Sequence, residues 1–367
     1  MPQESRCYSR SRFCPETNRR DRLSEAIREF WLESDAGARA RLINYGATLV
    51  SLEIPDREGQ LADVVLGFDD LERYRGPHPH FGSIVGRFAN RIAGGRFELD
   101  GRAFALATNA GPNHLHGGAV GFGRVIWQSE PIRDANASGV VFQYRSDDGE
   151  EGYPGNLDVV VSYRLTHDNE LWIDYEAHTD ATTIVNLTHH SYFNLADGGA
   201  GDILGHGLQL MANQYTPVDK SAIPTGELAA VDGTPMDFRE MREIGSRIGE
   251  ITGDPGGYDH NFVLDKSDLA RSSLSNADCE LTLAAVVSDP ISGRVMEIHT
   301  SEPGIQFYTS NSLNGEWIGK GNTVYRRHAA LCLETQHFPD SPNHPAFPST
   351  RLAAGERYSQ TTVHRFS

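Results

Sequence analysis

Alternation of apolar and polar residues is the dominant pattern along the chain. It is clearest from residue 157 to residue 177, where two apolar runs flank the polar residues 166–170. The alternating positions are Leu157, Val159, Val161, Tyr163 and Leu165, then Leu171, Ile173, Tyr175 and Ala177. Successive side chains of a strand point to opposite faces, so the pattern predicts a hairpin with one apolar face.

Other segments carry the same signal. Residues 96–106 alternate around Asp100-Gly101, a pair that is typical of tight hairpin turns. Residues 22–34 fit either a helix or a strand that leads into an extended run over 42–54, and residues 265–278 have the polarity of a surface loop. Further strands are predicted at 140–144, 279–287, 294–300 and 304–310.

These elements predict an all-β protein, with two large antiparallel sheets packed face to face. No long amphipathic helix is convincing, and 37 glycines and 18 prolines are spread between short strands. Neither an internal repeat nor a Pro/Ser-rich linker divides residues 25–367, which predicts a single domain. Residues 1–24 are rich in Arg and lack the apolar stretch of a secretion signal, so we expect a disordered N-terminal extension.

Charge and cysteine content narrow the partners and the compartment. The 367 residues carry a net charge of −17, with +3 on residues 1–24 and −20 on the remainder. A site that follows a nucleic-acid backbone or an anionic membrane needs clustered cations, so neither partner is expected. No apolar run of about 18 residues is present, which argues against a membrane span. Four scattered cysteines predict a reducing, cytoplasmic location.

Four segments are unusually polar for a β-protein, at residues 86–91, 113–118, 186–194 and 333–336. Each has an ordinary explanation as a surface or structural feature. The histidines raise the possibility of a metal site, but the adjacent His189 and His190 would point to opposite faces of a strand, and the spacing is not that of a known zinc motif. Motifs of α/β-hydrolases and phosphate-binding loops are absent.

Glu334 is the most informative single residue. It ends an apolar run and lies just before the proline-rich stretch 338–348, where strand pairing has to stop. A carboxylate at such a boundary is partly desolvated, which raises its proton affinity toward that of a useful base. A histidine from another strand would then serve as the matching acid on a neutral, polyhydroxylated substrate.

Taken together, the chain resembles the aldose 1-epimerases, the galactose mutarotases, from about residue 25 to its end. The matching stretches are Asn44-Tyr45-Gly46-Ala47, residues 81–92, Leu115-His116-Gly117-Gly118, residues 148–155, residues 186–195, Tyr258-Asp259-His260-Asn261-Phe262, residues 303–308 and Cys332-Leu333-Glu334-Thr335-Gln336. They occur in family order, and the combination is highly specific.

The resemblance implies a large antiparallel β-sandwich of the galactose-mutarotase type that interconverts the α and β anomers of free aldoses such as galactose and glucose, within hexose metabolism. It implies no cofactor and no metal, and a monomer or a homodimer. By motif, Glu334 is the expected general base and His190 the general acid. The residues expected to bind the sugar are Asn90, Arg91, His116, Asp259 and Gln306.

Several expectations accompany this assignment. We expect mutual attraction to raise the pKa of His190 and to lower that of Glu334, which keeps both in their working states. Tyr192 or Phe307 either stacks on the sugar or belongs to the core. His114, His189 and the segment 73–80 receive no role in catalysis. Two other functions stay open: a noncatalytic sugar-binding protein, and a hexose-phosphate mutarotase that would need cations such as Arg87 and Arg91.

Overall fold

The structure is a computed structural model that describes residues 26–133, 136–253, 256–267, 271–276 and 279–367. The expected N-terminal extension over 1–24 therefore lies outside the described residues. Within them the helical turns are all of the 3₁₀ type, at Leu71–Arg75, Ala93–Gly95, Phe122–Arg124, Glu150–Gly152, Ile244–Ser246, Ile248–Glu250, Lys320–Asn322 and Ser341–Asn343. None of the described helices has the length and apolarity that a membrane crossing requires.

Strands dominate the described chain. In chain order they are β1 (Glu29–Glu33), β2 (Arg39–Ile43), β3 (Thr48–Pro55), β4 (Leu61–Asp63), β5 (Ile84–Val85), β6 (Arg91–Ile92), β7 (Arg96–Leu99), β8 (Arg102–Ala105), β9 (His114–Leu115), β10 (Gln128–Arg133), β11 (Ala137–Ser146), β12 (Leu157–Thr166), β13 (Glu170–Thr179), β14 (Thr183–Ile184), β15 (Thr188–His189), β16 (Gly207–Leu210), β17 (Ala212–Tyr215), β18 (Ala229–Ala230), β19 (Arg242–Glu243), β20 (Asp259–Leu264), β21 (Arg271–Asn276), β22 (Cys279–Ser288), β23 (Val295–Thr300), β24 (Gly304–Tyr308), β25 (Trp317–Ile318), β26 (Val324–Tyr325), β27 (Cys332–Gln336), β28 (Arg351–Leu352) and β29 (Arg357–Phe366).

A ten-stranded antiparallel sheet forms one layer of the fold. Its strands run in the order β10-β11-β12-β13-β29-β23-β22-β16-β19, with β21 also paired to β22. A five-stranded sheet, β18-β17-β20-β24-β27, and a four-stranded sheet, β1-β2-β3-β4, contribute most of the second layer. One large apolar core joins the three sheets through residues such as Val161, Leu49 and Ile305. The predicted all-β sandwich is confirmed.

The two hairpins predicted from the sequence are present. Strands β12 and β13 pair in the expected register, with Leu157 opposite Thr179 and Leu165 opposite Leu171, and every apolar position of the alternating pattern is buried. Strands β7 and β8 turn at Asp100 and Gly101, whose φ angles of 49° and 77° are those of a tight hairpin turn. Period-two patterning therefore identified the strands that face the core.

Two expectations need correction. Residues 265–278 are not simply a loop, because Arg271–Asn276 pairs with β22 as an edge strand, which polar residues tolerate where one side faces solvent. The run 42–54 is not continuous, since β2 ends at Ile43 and the chain turns before β3. Ala47 in that turn has a φ of 46°. The strand interpretation of 22–34 holds for Glu29–Glu33.

Candidate active site

Three neighbouring strands of the five-stranded sheet bring Glu334, Gln306 and Asp259 to one face. Glu334 on β27 is directly opposite Gln306 on β24. Gln306 is in turn opposite Asn261 on β20, two residues from Asp259, so all three predicted residues share the pleat. The Gln306 amide Nε2 donates to Asp259 Oδ1 at 2.6 Å. This contact fixes the orientation of the amide and leaves its oxygen turned away from Asp259.

His190 approaches Glu334 from a different part of the chain. It follows the short strand β15, and its backbone is tied to the segment around Gly82 and Ser83: the Gly82 N–H donates to the His190 carbonyl, and the His190 N–H donates to the Ser83 carbonyl, each at 3.0 Å. His190 Nε2 lies 3.7 Å from Glu334 Oε1. The predicted acid and base are therefore neighbours, although 144 positions separate them in the sequence.

A third segment brings His116, Asn90 and Arg91 to the same place. Strands β6 and β9 pair Arg91 with Leu115, and the His116 N–H donates to the Asn90 carbonyl at 3.0 Å. Asn90 and His116 have positive φ angles of 61° and 51°, a conformation that non-glycine residues adopt at an energetic cost and that is common at functional sites. The ring centroids of His116 and His190 are 5.1 Å apart.

His116 presents a hydrogen-bond donor to the site. The backbone N–H of Asn90 donates to His116 Nδ1 at 3.2 Å, so in the neutral imidazole the proton resides on Nε2. Asn90 thus acts through its backbone on His116, while its side-chain oxygen accepts from Arg91 Nη1 at 3.4 Å. A donor is what a sugar oxygen requires.

The same tautomer argues against a metal centre. Donor atoms of His116, His190 and Glu334 lie within 4.8 Å of one another, a spacing near that of a metal site. A metal bound at His116 Nε2 would need the proton on Nδ1, facing the Asn90 N–H that already donates there. Histidine ligands normally donate their second N–H to an acceptor, which is the reverse of this arrangement. The cluster fits hydrogen bonding better than metal ligation.

Burial controls the protonation of the pair. It raises the pKa of Glu334 well above its usual range, and the nearby Asp259 carboxylate raises it further, while Arg91 opposes them. It lowers the pKa of His190 to about 4. The expectation that mutual attraction would shift both pKa values in the opposite directions is wrong, because burial disfavours the charged form of each group.

Two acceptor atoms in the site lack a partner. Glu334 Oε2 and Gln306 Oε1 are buried and have no hydrogen-bond partner among the residues that the structure describes. Buried polar atoms are nearly always paired, directly or through water, so these two positions favour a ligand that carries hydroxyl donors. A sugar supplies such donors.

Other residues considered from the sequence have structural roles. The Arg87 guanidinium is buried and donates to the carbonyls of Pro154 and Gly155, so it is unavailable to a ligand phosphate. Phe307 is a core residue, because it lies on the opposite face of β24 from Gln306 and contacts Tyr258.

Of the histidines without an assigned role, His114 and His189 are also structural. His114 is buried: its Nδ1–H donates to the Ala107 carbonyl, and its Nε2 accepts from the Tyr153 hydroxyl, each at 2.6 Å. His189 faces the interior beside Tyr163, as strand geometry required. The sequence did not indicate that His80 lies beside two predicted site residues: its ring centroid is 5.0 Å from that of His116 and 5.9 Å from that of His190.

Comparisons with known proteins agree with this geometry. The family model described as Aldose 1-epimerase matches residues 28–365. The galactose mutarotases of Bos taurus and Homo sapiens are 46% and 44% identical over 341 residues, which cover 93% of this chain and 94% of each relative. The aldose 1-epimerase of Escherichia coli is 38% identical over 342 residues, covering 91% of this chain and 94% of its own length.

Solved structures show the same fold. The crystal structure of a GalM/aldose epimerase homologue from C. elegans superposes with a TM-score of 0.83 at 30% identity, covering 93% of this chain and 99% of the other. That of galactose 1-epimerase from Lactobacillus acidophilus gives 0.81 at 28% identity, covering 94% and 95%. On the extent of the family match and the identity to these relatives, the chain belongs to the aldose 1-epimerase family.

Proposed function

We propose that this protein interconverts the α and β anomers of free aldoses, with Glu334 and His190 as the proton-transfer pair. The observation that carries the assignment is the 3.7 Å separation of His190 Nε2 and Glu334 Oε1 in a buried site that also holds other hydrogen-bonding side chains. A noncatalytic sugar-binding protein would need the donors and acceptors, but it would not need an acid and a base held together.

The chemistry requires two proton movements. Glu334 as carboxylate removes the proton of the O1 hydroxyl, and His190 as imidazolium gives a proton to the ring oxygen. The C1–O5 bond then breaks and leaves an open-chain aldehyde, with the proton of O1 now on Glu334 and His190 left as a neutral imidazole. After rotation about the C1–C2 bond, the 5-hydroxyl attacks the other aldehyde face while both protons return. No proton is gained or lost in the cycle.

The sugar itself converts the pair to its working form. Burial by itself favours a protonated Glu334 and a neutral His190. A sugar hydroxyl that donates to Glu334 stabilises the carboxylate, and a ring oxygen that accepts from His190 stabilises the imidazolium. Because the transfer of one proton between the two groups leaves the total charge unchanged, binding needs no proton from the solvent.

The remaining polar groups favour a neutral hexose. Asp259 is an acceptor, Arg91 and the His116 Nε2–H are donors, and Gln306 offers an unpaired oxygen. A buried sugar hydroxyl without a partner costs about 1–3 kcal/mol, so these groups select sugars whose hydroxyls reach them. Of the two arginines considered for a phosphate, Arg87 is engaged by backbone carbonyls. We propose free galactose and glucose as substrates, within cytoplasmic hexose metabolism.

Polarimetry tests the proposal. Purified protein is added to freshly dissolved α-D-galactose or α-D-glucose, and the decay of optical rotation is compared with that in buffer alone. We expect a large acceleration on both sugars and a much smaller one on glucose 6-phosphate. A decay no faster than in buffer contradicts the proposed activity, and a preference for glucose 6-phosphate contradicts the substrate class.

A further inference from the structure

The orientation of the His190 ring is not fixed by a hydrogen bond at its second nitrogen. Nδ1 of His190 is buried and has no partner among the residues described by the structure. Within the described chain, the Nδ1 of the adjacent His189 is also unpartnered, but two other histidines nearby differ in this respect. His116 accepts from the Asn90 N–H, and His114 uses both of its nitrogens. Some other contact has to set the plane in which His190 Nε2 faces Glu334.

Neighbouring rings supply that contact. Tyr192 lies nearly parallel to His190, with centroids 5.1 Å apart and planes 19° apart. His80 is also nearly parallel, at 5.9 Å and 24°. His116 meets His190 at 77°. The plane of His190 is therefore set by ring packing. Of these rings, His116 is already assigned to the sugar, whereas Tyr192 and His80 have no part in the proposed mechanism.

The chain around His80 is built to hold that ring in place. His78 is anchored at both nitrogens: its Nε2–H donates to the Tyr74 carbonyl at 3.1 Å, and its Nδ1 accepts from the Phe81 N–H at 3.2 Å. His80 has a φ of 58°, and its carbonyl accepts from the Ser83 N–H at 3.1 Å. A strained backbone conformation that is held by several contacts commonly marks a functional position.

This segment is also joined to His190 directly. Gly82 and Ser83, which follow His80 closely in the chain, make the two backbone hydrogen bonds with His190 that are described above. A side chain at Gly82 would come within 2.0 Å of the Leu49 carbonyl oxygen, so the backbone path is closely constrained. The main chain and the ring of His190 are thus both held by residues 80–83.

We propose that His80 is a positioning residue for the reaction, whose ring fixes the plane of the His190 imidazole so that Nε2 stays directed at Glu334. The inference rests on the proposed function. It gives a role to the segment 73–80, which the sequence alone left uninterpreted: the 3₁₀ turn Leu71–Arg75 and the anchored His78 carry His80 to the site.

Two variants separate the ring of His80 from its nitrogens. His80→Asn removes the ring but keeps a residue that tolerates positive φ. His80→Phe keeps a flat ring and removes both nitrogens. We expect His80→Asn to lower kcat by roughly 10- to 100-fold with KM nearly unchanged, because small misplacements of a reacting group have effects of that order. We expect His80→Phe to restore most of kcat, and thermal unfolding of both variants reports any cost of backbone strain.

Crystal structures of the two variants provide a readout that does not depend on activity. The His190 ring plane should rotate in His80→Asn and keep its orientation in His80→Phe. A His80→Asn variant with wild-type kcat and an unmoved His190 overturns the proposal. So does a His80→Phe variant as slow as His80→Asn with His190 in place, since a nitrogen would then be the active part. Failure of the proposed function would appear in the wild-type protein instead, as an absence of mutarotation.

Discussion

Replacing Glu334 by Gln tests the centre of the mechanism with almost no change in shape. Glu334 is 2% exposed and lies on a paired strand, so the isosteric amide should occupy the same volume without repacking. The Gln carbonyl oxygen is able to accept the hydrogen bond of a sugar hydroxyl. It is not able to take the proton, so the variant should bind the sugar and fail to open its ring.

The expected loss follows from that single function. A positioned general base contributes about 10²- to 10⁴-fold in rate, or about 3–5 kcal/mol of the barrier. KM should change little. The free energy of unfolding of the variant should not fall and should rise at neutral pH, because the pKa of Glu334 is raised in the folded protein. A raised carboxyl pKa favours folding at low pH and disfavours it as the pH rises above the unfolded value, by about 1.4 kcal/mol per unit.

The assay therefore combines polarimetry on α-D-galactose with urea unfolding at pH 4 and pH 7. Glu334→Gln should be as stable as the wild type at pH 4 and at least as stable at pH 7, while its kcat falls at least 100-fold. Glu302→Gln is the matched control, since Glu302 is also a buried carboxylate beside a histidine but is not one of the proposed site residues. Its Oε2 lies 2.6 Å from His337 Nδ1. The Glu302→Gln variant should lose stability and keep its activity. A stable Glu334→Gln variant with wild-type kcat would refute the assignment of the base.

Three further predictions concern the surrounding structure. His116→Phe should lower kcat/KM about 10- to 100-fold in the same assay, because the variant keeps a ring but loses the Nε2–H donor. An unchanged kcat/KM would show that His116 does not bind the substrate. Gly117→Ala should lower the free energy of unfolding in urea by more than about 1 kcal/mol, since its Cβ would lie 1.8 Å from the Gly86 carbonyl oxygen. Gly94→Ala is the control, with a positive φ but open space, and an equal loss in both would exclude the clash as the cause. Wild-type stability should be highest above pH 6.5 and should fall toward pH 4. His190 and His364 have folded pKa values of about 4 and gain protons on unfolding in this range, so each lowers the free energy of unfolding by about 3 kcal/mol at pH 4. Urea midpoints that do not fall between pH 7 and pH 4 would contradict this prediction.

Local patterns predicted several of the strands but missed others, such as β29 in the ten-stranded sheet, and they did not predict the assembly. The period of two identified β12 and β13 because each strand buries one face against the core, and Asp100-Gly101 identified a turn because it needs two positive φ angles. The contact between Glu334 and Gln306 depends on the pairing of β24 with β27, strands that are not joined by a tight turn. No local signal sets that register, so only the family resemblance placed these residues together.

His80 shows a second limit. From the sequence, the segment 73–80, in which Pro79 separates His78 from His80, received no role in catalysis. The importance of His80 depends on two contacts, with His116 and His190, that are made by chain segments far away in sequence. A positive φ at a residue that is neither glycine nor asparagine would have been a signal, but φ is not visible in a sequence.

The incorrect pKa expectation has the greatest consequence for mechanism. A solvent-exposed pair would keep Glu334 charged near neutral pH and would favour a protonated His190, whereas burial disfavours the charged form of both groups here. In the proposed mechanism, the hydrogen bonds of the sugar offset that cost. Ring opening in that mechanism moves one proton, in net terms, from His190 through the sugar to Glu334, which is the distribution that burial favours. Part of the binding energy of the sugar is therefore used to form the reactive charges, and their neutralisation favours the open-chain form. Interactions that strengthen along the reaction raise kcat, whereas a permanently charged pair would stabilise the closed sugar equally well.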